Sequence, residues 1–162
     1  MPEDKPYPLL KAEDIAVMAE TINVHQFNEN AVRHTRSLSD QLGLTDIGVH
    51  LVRLAAGNES TQFHYHHRDE EFLYILSGRG IAEIGSQQHE VAAGDFMAFG
   101  RESLPHTLTN PFTEDLVYLM GGTRNAIDIC DYPRINRRMY RVDGSKQYVD
   151  LENLHNVNPP QR

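Results

Sequence analysis

Phe63-His64-Tyr65-His66-His67-Arg68-Asp69-Glu70-Glu71 runs directly into Phe72-Leu73-Tyr74-Ile75-Leu76-Ser77 and the turn Gly78-Arg79-Gly80. If His64 and His66 lie on a β-strand, the period of two sends both imidazoles to one face, as two ligands of one ion require. Glu71 follows His66 by five positions and has the wrong parity to share that face on an unbroken strand. The polar stretch His67-Arg68-Asp69 must therefore turn before the next strand begins, and an ion held by His64, His66 and Glu71 would bridge two strands. A fourth candidate ligand stands further on: His106, in Leu104-Pro105-His106-Thr107-Leu108-Thr109-Asn110, opens another short strand and can approach from across a barrel.

Outward from this run the chain is a succession of short strands. Ile47–Leu54 is the clearest, followed by a strand around Gln62–His66, then Glu71–Ser77, Ile81–Ile84, Gln88–Val91, Phe96–Phe99, His106–Asn110 and Asp115–Met120. Gly85-Ser86 suits a tight hairpin because glycine tolerates the positive φ such turns need. Many short strands separated by turn signals indicate an all-β sandwich or barrel, and no long helical pattern alternates with them. Upstream, Ala31–Ser39 favours a strand, whereas Pro6–Asn30, with Leu9, Leu10, Ile15, Val17 and Met18, suits a short helix or an edge strand. In Glu71–Ser77, Leu73 and Ile75 share the face of Glu71, while Phe72, Tyr74 and Leu76 point the other way. Both faces are apolar, so both are expected to be covered, the outer one by terminal segments or by a second subunit in a homodimer.

The spacing from Gly57 to His64-x-His66, four residues to Glu71, six more to Gly78, and a later Gly94 leading to His106-x-x-x-Asn110 resembles the two motifs of the cupin superfamily. The first motif fits closely. The second departs from the family pattern, which usually has Pro and Gly where Gly100 and Glu102 stand. The resemblance covers roughly residues 46–122 and implies a double-stranded β-helix, or jelly-roll, barrel within a single domain, with residues 1–45 and 123–162 as extensions. The flanks Asn30–Arg36 and Asp128–Pro133 look like a subgroup of small bacterial cupins that mostly lack an assigned activity. A metal site built from His64, His66, Glu71 and His106 is implied as well, with Asn110 as a structural residue bonding backbone near the ligand strand.

The bulk properties narrow the function. The 162 residues fit one domain with a real core. A formal net charge of −8 and no dominant basic run argue against nucleic acid or an anionic membrane surface as partner and leave small molecules or proteins. Cys130 is the single cysteine, which suits a reducing compartment, and Met1–Pro6 is polar with no apolar stretch behind it, so a cytoplasmic protein is expected. Tyr132–Arg141 is locally basic and aromatic, and is read as packing across the barrel or a partner with its arginines solvated. Asn156–Arg162, with Pro159-Pro160, reads as a disordered end.

Other histidines carry less. His67 adjoins the ligand pair with the opposite parity, and Glu70 is the outward neighbour of Glu71. His89-Glu90 lacks the second histidine of a zincin helix, and His25, His34, His50 and His155 have no ligand spacing. Cys130 is read as a small buried residue. Three imidazoles and one carboxylate are borderline ligands, suited to a divalent transition metal such as Fe, Mn, Ni, Zn or Cu rather than to Ca or Mg. Around a six-coordinate ion, four protein ligands leave positions for water, dioxygen or a substrate oxygen. The expected function is thus a metal-dependent enzyme acting on a small polar molecule. The resemblance extends that to oxygenases, isomerases working through an enediolate, and decarboxylases. The alternative is a non-catalytic barrel that binds or senses a small ligand.

Overall fold

A computed structural model describes residues 6–157; the end of the Asn156–Arg162 tail lies outside the described residues. In chain order the elements are helix α1 (Ala12–Val17), strands β1 (Thr21–His25) and β2 (Asn28–Ser37), helix α2 (Leu38–Gln41), then β3 (Ile47–Leu54), β4 (Tyr65–His66), β5 (Glu71–Ser77), β6 (Arg79–Ile84) and β7 (Gln87–Ala92). They continue with β8 (Phe96–Phe99), β9 (His106–Thr109), β10 (Leu116–Thr123), β11 (Ile127–Tyr132), β12 (Arg137–Val142) and β13 (Ser145–Asp150). The structure is all-β with jelly-roll strand order, as the alternation of short strands and turns requires. A six-stranded sheet runs β1-β2-β3-β10-β5-β8, a three-stranded sheet runs β7-β6-β9, and a four-stranded sheet runs β13-β12-β11-β4.

The core lies inside the barrel, and strand parity sets what reaches it. Val52 and Leu54 of β3, Leu73 and Ile75 of β5, Leu108 of β9, and Leu116 and Tyr118 of β10 form one buried cluster. Each fully buried aliphatic side chain contributes about 1.5 to 3 kcal/mol of hydrophobic stabilisation. Because Glu71 shares a face with Leu73 and Ile75, the same alternation that builds the core carries its carboxylate inward. Gly78 makes the β5–β6 turn at φ +76, and a Cβ there would lie 2.2 Å from the Asp115 carbonyl oxygen. The β6–β7 hairpin closes with Ile84 paired to Gln87, and Gly85 sits at φ +59, as the Gly85-Ser86 signal implies.

Three sequence expectations change. Pro6–Asn30 holds both a helix and a strand: α1 precedes β1, and β1 pairs antiparallel with β2. Among the described residues no terminal segment covers the outer face of β5, where Tyr74 is 40% and Leu76 44% exposed, beside Phe96 at 62%. The arginines of Tyr132–Arg141 are paired rather than merely solvated. Arg138 donates to Asp131 at 2.6 and 2.8 Å, Arg141 to Asp69 at 2.6 Å, Arg137 to Asp150 at 2.8 Å, and Arg134 to Glu83 while lying 4.0 Å over the Phe63 ring. These pairs fasten the C-terminal sheet, whose own small core is Cys130, Tyr132 and Met139.

Candidate metal centre

His64, His66 and His106 converge on the Glu71 carboxylate. His64 and His106 sit in an antiparallel bridge joined by reciprocal backbone bonds, His64 N–H to the His106 carbonyl at 3.2 Å and His106 N–H to the His64 carbonyl at 2.8 Å. His66 follows two residues later on β4, and Glu71 opens β5 after the turn that parity required. The Glu71 carboxylate lies among the three rings: Oε2 is 3.1 Å from His106 Nε2 and 3.4 Å from His64 Nε2, and Oε1 is 3.4 Å from His66 Nε2. Ligand atoms of His64, Glu71 and His106 all lie within 4.8 Å of one another. Phe99 stacks on His106 with ring centroids 3.4 Å apart and fixes that imidazole's plane.

The far nitrogen of each ring has its own partner. His64 Nδ1 is 2.9 Å from the Gln62 carbonyl, His106 Nδ1 is 3.3 Å from the Leu104 carbonyl, and His66 Nδ1 is 2.6 Å from Asp128 Oδ2. A carbonyl only accepts, so Nδ1 of His64 and His106 carries the proton and Nε2 presents its lone pair to the centre. That is the tautomer a metal ligand needs, and such outer partners fix both ring orientation and basicity.

Electrostatics follow from burial against paired charge. Burial pulls the pKa of His64 down more than Glu71 restores it. Burial opposes the charged form of His66 too, but the Asp128 and Glu71 carboxylates outweigh it and push that imidazole up to about 10. Burial would raise the Glu71 carboxyl, yet the three imidazoles gathered around it, His106, His64 and His66, hold it well below the usual carboxylate range. Without metal the site thus carries two carboxylates and an excess proton on His66. A divalent cation would take that proton's place.

The site opens on a cavity of about 350 Å³, a size suited to a small molecule. Leu73, Met97 and Phe99 line it, together with Tyr118, Met120 and Tyr132. His67 points elsewhere: its Nε2 is 3.1 Å from Asp131 and its Nδ1 3.4 Å from Glu102. Asn110 bonds backbone, its amide donating to the Leu54 and Glu114 carbonyls at 2.9 and 2.8 Å. Cys130 is buried, which raises its thiol pKa and keeps it protonated.

The residue that sequence reasoning missed is Asp128. It is fully buried, accepts backbone N–H groups of Arg68 and Asp69 at 3.2 and 3.0 Å, and so ties the turn between the ligands to His66. A carboxylate in an apolar strand, Ile127-Asp128-Ile129, was the available signal. Its partner lies 62 residues away, which no local pattern encodes.

The sequence model of the family described as "Cupin domain" matches residues 50–122. Among solved structures, a provisionally named sugar phosphate isomerase from Acidithiobacillus ferrooxidans is 38% identical, with a TM-score of 0.91, covering 93% of this chain and 97% of its own. A Silicibacter pomeroyi protein named as a cupin sugar phosphate isomerase is 24% identical, with a TM-score of 0.79 over 90% of this chain and 94% of its own. A Thermotoga maritima protein described as a predicted oxalate decarboxylase is 17% identical, with a TM-score of 0.57, and covers 68% of this chain and 96% of its own. The latter two show likeness of fold alone. No curated protein matches the chain.

Proposed function

The chain belongs to the cupin superfamily, and from that premise we propose that it is a metal-dependent enzyme of isomerase type acting on a small polar molecule, with a sugar phosphate as the favoured substrate class. The observation that carries this reading is the convergence of three imidazole Nε2 atoms on the Glu71 carboxylate at the wall of a cavity. His64, His66, Glu71 and His106 are the proposed ligands of a divalent transition metal such as Fe, Mn, Ni or Zn. The isomerase reading draws on the name carried by the Acidithiobacillus protein, which matches along nearly the whole chain.

A divalent ion held there would supply Lewis acidity to a substrate carbonyl or hydroxyl oxygen. The chain's own residues orient the ligands and shape the pocket. Asp128 and the two backbone carbonyls hold the rings in ligating orientation, Phe99 shields His106 from solvent, and Leu73, Met97 and Phe99 provide apolar walls that exclude water. We place the protein in the cytoplasm, where a single buried thiol is stable. We read it as a homodimer, with the second copy on the exposed face of Tyr74, Leu76 and Phe96. Among the described residues no helix is long and apolar enough to cross a membrane.

The test is proton exchange. Metal-loaded protein incubated in D2O with a panel of aldose phosphates should wash deuterium into C2 and form the ketose phosphate, and His64→Ala should abolish both. Failure of every aldose phosphate to exchange or convert, with metal bound, would overturn the isomerase reading.

A further inference from the structure

The cavity beside the candidate metal centre has a second polar region. Arg33 of β2 and Lys146 of β13 both line it, and among the described residues neither pairs with a carboxylate. Among the described residues the Arg33 guanidinium makes one hydrogen bond, a weak one from Nη1 to the Met120 sulfur at 3.6 Å. The third cation of the wall, Arg141, is consumed by Asp69. Glu71 is the sole acidic residue in the lining, and its carboxylate is taken up by the three imidazoles. A chain of net charge −8 has therefore set two uncompensated cations along one small cavity.

Neutral donors stand in the same lining. Tyr118 is 0% exposed and lines the cavity, and its hydroxyl has no protein hydrogen-bond partner among the described residues. A buried hydroxyl without a partner costs about 1 to 3 kcal/mol, so its retention calls for an occupant that satisfies it. His25 also lines the cavity. Its Nδ1 accepts the Phe27 N–H at 3.2 Å, which leaves the proton of the neutral ring on Nε2 as a donor. Asn23, paired in register with Arg33, completes the group.

We propose that Arg33, Lys146 and Tyr118 form the binding site for the phosphate group of the substrate, alongside the metal centre. The proposal deepens the functional reading above and rests on it for the identity of the substrate class. Two cations suit a phosphate dianion, and the planar guanidinium can donate two parallel N–H bonds to its oxygens. The division of labour follows the chain: the four proposed metal ligands lie within the barrel motif, residues 50–122, whereas Arg33 and Lys146 come from strands outside it. The family motif therefore specifies a metal site, and the extensions specify what is brought to it.

Titration calorimetry tests this with inorganic phosphate as the probe and acetate as the competing anion, on both chelator-treated and zinc-loaded protein. Phosphate should bind both forms, more tightly than acetate. Arg33→Met should weaken it at least tenfold, Arg33→Lys should weaken it less, and Lys146→Ala, at an exposed position, several-fold. Tyr118→Phe should weaken phosphate several-fold while melting no lower than wild type, a combination that loss of fold cannot produce. Phosphate binding that appears only with zinc loaded, equal affinity for acetate, or unchanged affinity in Arg33→Met and Tyr118→Phe would overturn the subsite. Zinc binding by wild type is measured separately, so loss of the metal reading with Arg33-dependent phosphate binding intact would fault the metal centre and not the subsite.

Discussion

At the scale of single residues, His66 and Asp128 decide how the site responds to protons. The folded, metal-free His66 has its pKa raised from 6.5 to about 10. The stability this contributes is fully present below about pH 6.5 and is lost as pH rises through about 10. Metal competes with the same proton, so the rise in Tm on adding zinc should grow from about pH 6 to about pH 8; a constant or shrinking rise would show that His66 is not a ligand. Asp128→Asn keeps the size of the side chain but removes the charge that orients His66. It should lower zinc affinity by about 10- to 100-fold, measured by competition with a chromophoric chelator.

At the scale of elements, strand parity made most of the centre legible. The period of two placed His64 with His66, and the mismatch at Glu71 demanded the turn that Arg68 and Asp69 make by donating to Asp128. Leu73 and Ile75 announced the inward face that Glu71 shares. What parity cannot encode is pairing across distance. The bond from Asp128 to His66 and the ion pairs of Arg138 and Arg141 depend on how β11 and β12 dock beside β4, and their sequence shows only a basic, aromatic stretch. The loop from Gly100 to Pro105 differs from the family pattern, and its Glu102 takes φ +55, the left-handed region glycine favours, while its N–H donates to the His66 carbonyl at 2.8 Å. His106 nevertheless reaches the centre, so the irregular second motif changes the loop and not the placement of the histidine. The turn at Gly78 is less forgiving. Gly78→Ala forces a Cβ against the Asp115 carbonyl at positive φ and should cost about 2 to 3 kcal/mol in chemical denaturation, with unchanged stability counting against the described turn.

At the scale of the whole molecule, the extensions are built into the sheets that surround the cavity. β1 and β2 extend the six-stranded sheet, and β11 to β13 with β4 form a sheet of their own, so both ends of the chain contribute walls to the cavity. One face is open among the described residues: Tyr74, Leu76 and Phe96, with Phe72 packed 6.0 Å from Phe96 between ring centroids, present apolar surface there. Phe96→Glu should turn a dimer into a monomer in sedimentation experiments without changing metal content; a wild type that is already monomeric would exclude the dimer. The central claim, a metal centre made of His64, His66, Glu71 and His106, is tested most directly by elemental analysis. Wild-type protein reconstituted in turn with Fe, Mn, Ni and Zn, then desalted, should retain one ion per chain, and His106→Ala should lose most of it while remaining folded. Wild type that retains no stoichiometric metal, or His106→Ala that retains all of it, would contradict the account.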